Sequence, residues 1–162
     1  QTKLPSSEEI VVCKTMDDVC DCIRKMVVRG APAIGCAAAF GYVLGVRSLI
    51  KDFNVENMSP NSCSSLVTKG REKIYYSLLK TRPTAVNLEW ALKQMQSIDY
   101  KKYKSMQSYV NAIESQARYL LQEDINTNLK IGEIGADFLG QCSSVLTHCN
   151  AGGLATGGYG TA

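Results

Sequence analysis

A single histidine, His148, stands in the chain of 162 residues, and no Cys-x-x-Cys pair accompanies it, so there is no donor set of the kind that encloses zinc. Cys20 and Cys22 are close in sequence, but two positions apart on a helix they point to different faces. No block of like charge occurs. The formal net charge of +3 is mild and the Lys and Arg residues are scattered, so nothing marks a nucleic-acid or membrane-surface partner, while a small anionic ligand stays compatible. No glycine loop is followed by Gly-Lys-Ser or Gly-Lys-Thr, and Gly157-Gly158-Tyr159-Gly160 only weakly resembles a dinucleotide fingerprint, so nucleotide binding is not indicated. No internal repeat is present. An uncharged stretch, Gly30 to Val46, is rich in Ala and Gly; it is short for a bilayer span and reads as a buried helix. Residues Gln1 to Glu9 lack the basic stretch and apolar run of a secretory leader. Seven cysteines, an odd number, argue against a closed disulfide framework and for reduced thiols in the cytosol.

What the sequence does have is a helical period. A hydrophobic content of 45% with 20% charged residues fits one globular domain with a sizeable core. Thr15 followed by Asp18 has the form of a capping box, and Met16, Val19, Cys20, Ile23 and Met26 recur at spacings of three and four, which predicts a first amphipathic helix. Val28-Arg29-Gly30-Ala31 reads as a loop, with Pro32 the first residue of the buried Ala/Gly-rich helix. Asn54 to Ser65 reads as a loop and Leu66 to Leu79 as a third helix. Pro83 restarts the pattern, which Ala85 to Met95 continues. Met106, Tyr109, Val110, Ile113, Ala117, Leu120 and Leu121 trace the longest helix, and a further one is expected from Asp124 to Leu139, stopped by Gly140.

The period then changes. Ser143 to Cys149 is short and β-rich, Asn150-Ala151-Gly152-Gly153 is a turn, and Leu154 onward can open a helix. Strand, glycine-rich turn and helix are how an α/β unit begins. The expected division is therefore a helical domain over residues 1–141 and the start of a second over 142–162. Because one parallel strand cannot form a sheet, the chain is read as the front part of a longer protein.

Three places carry candidate chemistry. Arg29 is a fixed cation at a turn, where Gly30 permits close backbone approach and the Gly30 and Ala31 N–H groups face a helix N-terminus, an arrangement that holds phosphate. Arg82, before Pro83, stands at a second helix entrance, where a guanidinium can grip a phosphate or a sugar hydroxyl. For both, composition alone favours an ordinary surface arginine. Asn87 and Trp90, downstream of Arg82, are expected to pack or cap. Cys149 lies at the carboxyl end of the expected strand, just before the glycine-rich turn, where open α/β sheets bind ligands and a helix N-terminus favours a thiolate. The plain reading of a cysteine as a buried inert thiol applies to Cys13, Cys20, Cys22, Cys36, Cys63 and Cys142. His148 is expected to be a hydrogen-bonded structural residue on the opposite strand face.

The runs MVVRGAPAIGCAAAFG from Met26 to Gly41, TRPTAVNLEWAL from Thr81 to Leu92, and LTHCNAGGLATGGYGTA from Leu146 to Ala162 closely resemble, in order and spacing, three blocks of the methylthioribose-1-phosphate isomerase family. Weaker similarity covers the rest, including LPSSEEIVVCKTMDDVCDCIRKM and EDINTNLKIGEIGADFL. The resemblance implies an α/β fold: a mainly helical N-terminal domain with a small β element near Leu4 to Cys13, then the first strand and helix start of a Rossmann-like domain. It implies a sugar-phosphate aldose–ketose isomerase of methionine salvage that turns 5-methylthioribose 1-phosphate into 5-methylthioribulose 1-phosphate. Arg29, Gly30, Ala31 and Arg82 would bind substrate, and Cys149 would be catalytic, opposite an Asp from later in the chain. No metal or organic cofactor is implied. A cytoplasmic homodimer is expected, with the nucleus as an alternative location, and residues 1–162 alone are expected to be inactive. Two departures stand out: Gly153 and Gly158 replace residues that are often Ala, which adds loop flexibility, and Ile134 replaces a common His, which alters a contact behind the site. The alternatives are ribose-1,5-bisphosphate isomerase and, from another class, the non-catalytic regulatory subunits of the translation-initiation guanine-nucleotide exchange factor. Those subunits generally lack both the Cys-Asn-Ala-Gly loop and the Arg-Gly-Ala-Pro turn.

Overall fold

In the computed structural model, which describes residues 1–140 and 142–162, five α-helices follow one another: α1 Met16–Arg24, α2 Ala31–Asp52, α3 Ser64–Leu79, α4 Val86–Gln96 and α5 Met106–Leu139. Two single 3₁₀ turns, Tyr100–Lys102 and Gly153–Ala155, complete the regular structure. The capping box forms as the sequence suggests. Asp18 N–H donates to the Thr15 hydroxyl at 3.1 Å and the Asp18 carboxylate accepts from Thr15 N–H at 2.9 Å, so two otherwise orphaned donors at the start of α1 are satisfied.

The Ala/Gly-rich segment becomes the central helix. All the other α-helices pack on α2, which buries Ile34, Ala38, Ala39, Tyr42, Val43, Val46 and Ile50. A helix apolar on every side belongs in a core. α2 is long and apolar enough to cross a membrane by composition, yet 61% of its most apolar window is buried within the fold. Close packing explains its glycines: a Cβ at Gly41 would meet Leu78 at 2.9 Å, and one at Gly45 would meet Ile74 at 2.9 Å. Cys20 is buried in the same core, while Cys13 and Cys22 face each other with sulfurs 3.6 Å apart as free thiols.

A polar knot crosses this core. Arg71 of α3 donates from Nε to the Tyr42 hydroxyl at 2.9 Å and from a terminal nitrogen to Gln96 O at 2.5 Å. Its guanidinium lies 5.2 Å from the Tyr100 ring centre and 5.6 Å from that of Tyr109. It therefore joins α2, α3, the end of α4 and the start of α5 through charge-assisted bonds and cation–π contacts. Replacing Arg71 with Ala should lower stability by about 3 kcal/mol, because it takes the charged donor from the Tyr42 hydroxyl and from the Gln96 and Ile98 carbonyls. Urea denaturation of the variant beside the parent checks this; equal midpoints would assign the arginine to the surface.

Three sequence expectations change. Met106 to Leu139 is one continuous helix of 34 residues, not two; neither Gly nor Pro separates Leu121 from Asp124, so nothing stops the hydrogen-bond ladder. Pro32 is the second helical residue, since α2 begins at Ala31. No β-strand occurs among the described residues: neither the small β element near Leu4 to Cys13 nor the Ser143 to Cys149 strand is formed. Ile10 and Val12 are exposed, and Leu146 is 98% exposed. A strand needs a neighbour to take its backbone hydrogen bonds, and neither segment has one here. The fold described is mainly helical. The expected 141/142 boundary falls at residue 141, outside the described residues.

Candidate functional site

The Arg29 turn is built by the end of α1 and the start of α2. Val27 and Val28 N–H groups both donate to Cys22 O, at 2.9 and 3.3 Å, which turns the chain after α1 and leaves Arg29 exposed. Gly30 caps α2 at φ +104° with no side-chain cap bond. That conformation is open to glycine and strained for other residues. The first N–H groups of α2 are thus left without a side-chain partner, at the positive end of a 22-residue helix.

Arg82 reaches the same end of the bundle by a different route. α3 stops at Leu79, the Thr81 hydroxyl donates to Leu78 O at 2.6 Å, and Ala85 N–H donates to Arg82 O at 3.0 Å to form the turn into α4. A Cβ at Gly35 would lie 3.0 Å from Asn87 O, so the first turns of α2 and α4 lie in contact. Arg82 is half-buried, and neither it nor Arg29 has an acidic partner among the described residues.

Between these entrances and α5 lies a cleft of about 480 Å³, lined among others by Pro32, Cys36, Asn87, Trp90, Asp124 and Thr127. Trp90, expected to pack, is instead half exposed at this cleft. Burial pushes the Cys36 thiol up to about 11, and the negative charge of Asp124 adds to the shift. Cys36 therefore stays protonated at neutral pH and agrees with its reading as an inert thiol.

The Cys149 segment departs from its expected form. Cys149 is exposed, at φ +65°, and no helix opens at Leu154. The glycine-rich stretch closes on itself: Thr161 N–H donates to Ala151 O at 2.8 Å and Ala155 N–H to Gly152 O at 2.9 Å. The Thr156 hydroxyl donates to Tyr159 O at 2.5 Å and accepts from Gly158 N–H at 3.3 Å. His148 is exposed and makes no hydrogen bond among the described residues, unlike the structural role expected of it.

This loop and the Arg29 turn are in contact. A Cβ at Gly30 would lie 2.5 Å from both Cα and O of Ala155, a separation only glycine allows. The Gln1 amide bridges them, donating to Arg29 O at 3.4 Å and also to Leu154 O. Arg29, Gly30 and Ala31 are thereby brought beside the loop that follows Cys149, although Cys149 makes no hydrogen bond to either arginine. On its far side the loop rests on α5: Asp124 accepts from Gly157 N–H at 2.6 Å, and Gly158 and Tyr159 approach Ile125 and Gly132. Asn128, on the same helix face, is buried with Nδ2 unpartnered. Asp124 is not among the residues that sequence reasoning singles out. A carboxylate at the position that continues the apolar stripe, four residues after Leu120 and three after Leu121, is the signal that could have found it.

The chain is 47% identical over its whole length to methylthioribose-1-phosphate isomerase of Thermosipho africanus, covering 44% of that protein. It is 44% identical to the Thermotoga maritima protein of the same name, covering 43% of it. The chain thus spans less than half the length of these relatives. Two solved structures superpose closely. Translation initiation factor eIF-2B subunit delta from A. fulgidus gives a TM-score of 0.79 at 35% identity, covering 98% of this chain and 44% of that one. The 5-methylthioribose 1-phosphate isomerase of Pyrococcus horikoshii gives 0.76 at 33%, covering 98% and 42%. Residues 27–157, from the end of α1 through the loop beyond Cys149, match the model of the initiation factor 2 subunit family, and the chain belongs to that family.

Proposed function

We propose that these residues are the N-terminal part of an isomerase that converts 5-methylthioribose 1-phosphate to 5-methylthioribulose 1-phosphate. The observation that carries the reading is the approach of Gly30 to Ala155, which sets an unpaired arginine and an uncapped helix N-terminus beside the loop that follows a cysteine. Fold alone does not separate the isomerases from the regulatory subunits, since the two solved relatives superpose almost equally well. The regulatory reading is favoured by the eIF-2B delta likeness. Against it stand the intact Arg29-Gly30-Ala31-Pro32 turn and Cys149-Asn150-Ala151-Gly152 loop, together with isomerase relatives 43–47% identical over the full chain.

The chemistry required is specific. The anomeric oxygen of the substrate carries phosphate, so the ring cannot open to a free aldehyde and must be forced by acid–base groups. Arg29, the Gly30 and Ala31 N–H groups and Arg82 would hold the phosphate. Cys149 would exchange a proton with the ring oxygen or with carbon as hydrogen moves from C2 to C1, its partner a carboxylate from later in the protein. For Val145 and Leu146 to become the first strand of a Rossmann-like domain, that later part must supply the neighbouring strand. A cytoplasmic homodimer fits the reading, and residues 1–162 alone should be inactive.

Replacing Arg29 or Arg82 with Ala in the full-length protein should weaken substrate binding by about 1.5 to 3 kcal/mol each, the worth of a charge-assisted hydrogen bond. Isothermal titration with the product ketose phosphate measures it. Unchanged affinity in both variants would remove the phosphate site from this face.

A further inference from the structure

The loop Ala151–Thr161 is braced internally by its own backbone and by Thr156, so it forms one braced unit. What fixes that unit to the rest of the fold is a short list of contacts. Gly30 backs against Ala155 on one side. On the other, Gly157 is seated on α5, where its N–H meets the Asp124 carboxylate at 2.6 Å and a Cβ would lie 2.7 Å from Leu121. Among the described residues no other charged side chain hydrogen-bonds the loop, and the remaining side-chain tie is the exposed Gln1 amide.

From this geometry we infer that Asp124 is a positioning residue: by docking the loop through Gly157 it sets where the Cys149 thiol stands relative to the Arg29 turn. Cys149 lies two residues before the base of the loop, exposed and without a hydrogen bond of its own among the described residues, so its placement follows that of the loop. A carboxylate accepting from a backbone N–H is a strong, directional tie. The inward face of α5 is polar at Asp124, where it receives the Gly157 backbone N–H. Asp124 also lines the cleft with Asn87 and Trp90, so the same side chain ties the loop to the α5 wall of that cleft. This role rests on the isomerase reading.

The test uses the full-length protein and three variants. Asp124→Ala removes the tie, Asp124→Asn keeps an acceptor oxygen at the same reach, and Gly157→Ala wedges the loop off α5 with the carboxylate intact. Hydrogen exchange of the peptide covering residues 150–162 is read beside steady-state kinetics, with the α2 and α4 peptides as internal references. In Asp124→Ala and Gly157→Ala the loop amides should exchange about tenfold faster while α2 and α4 are unchanged. In both, kcat should fall on the order of a hundredfold, as for a catalytic group misplaced by about an ångström, while Asp124→Asn retains most of both signals. Unchanged loop exchange in Asp124→Ala overturns the docking, and faster exchange with normal kcat overturns the positioning role. If Asp124→Ala does not fold, Gly157→Ala gives the same two readings. Failure of the isomerase reading is distinguishable, because then the parent protein itself shows no turnover while the exchange pattern still reports whether Asp124 docks the loop.

Discussion

Cys149→Ser in the full-length protein should fold normally and lose isomerase turnover by about a hundredfold or more. Serine is close to cysteine in size, and the position is exposed and free of hydrogen bonds among the described residues, so little stability is at risk. Its hydroxyl is a far weaker acid than a thiol, so it cannot exchange a proton at neutral pH on the time scale of a catalytic step. The loss should fall in kcat, with substrate affinity nearly unchanged, because the phosphate contacts belong to Arg29, Gly30, Ala31 and Arg82. Cys63→Ser, at a thiol that donates to Ser59 O at the start of α3, should leave turnover unaltered. Steady-state kinetics and a thermal melt on both variants check the pair; near-normal kcat in folded Cys149→Ser would return Cys149 to the inert thiols and favour the regulatory-subunit reading.

Gly30→Ala should be the second most damaging single change, although it adds only one methyl group. Two effects combine. At φ +104° an alanine is strained by roughly 1 to 3 kcal/mol, and its Cβ would lie 2.5 Å from the backbone of Ala155, so the turn or the loop must move. Either movement separates Arg29 from the loop that carries Cys149. The expected loss in kcat/KM is on the order of a hundredfold, shared between binding and turnover because both sides of the site shift. The corresponding Gly41→Ala variant, which clashes with Leu78 deep in the helical core, should lower the melting temperature. Kinetics of Gly30→Ala within threefold of the parent would show that the contact does not shape the site.

Much of this architecture is legible in the amino-acid sequence, and the reasons are local. Thr15 and Asp18 specify a cap by their own hydrogen bonds, and the spacing of Val19, Cys20 and Ile23 specifies the face that α1 buries. The uncharged stretch from Gly30 to Val46 has to be enclosed, and α2 is the helix all others surround. Arg29 and Arg82 stand out because each is placed where a helix begins. Non-local facts are not legible. Arg71 looks like any surface arginine in sequence; only the meeting of Tyr42, Tyr100, Tyr109 and the end of α4 makes it a core residue. The apolar stripe of α5 gives way to polar residues after Leu121, which suggests a second helix. The helix in fact continues, and its polar face receives the glycine-rich loop at Asp124. Val145 and Leu146 have strand character, but a strand is a property of a pair, and the neighbour is not among these residues.

The central claim, that the Arg29 turn and the Cys149 loop form one isomerase site, is tested most directly by phosphorus NMR of 5-methylthioribose 1-phosphate incubated with the full-length protein and, in parallel, with Cys149→Ser. The expected result is that the parent replaces the anomeric phosphate resonance with that of a ketose phosphate ester, while Cys149→Ser leaves the substrate essentially unconverted over the same time. An unchanged substrate spectrum with the folded parent protein, or equal conversion by both, would contradict the account.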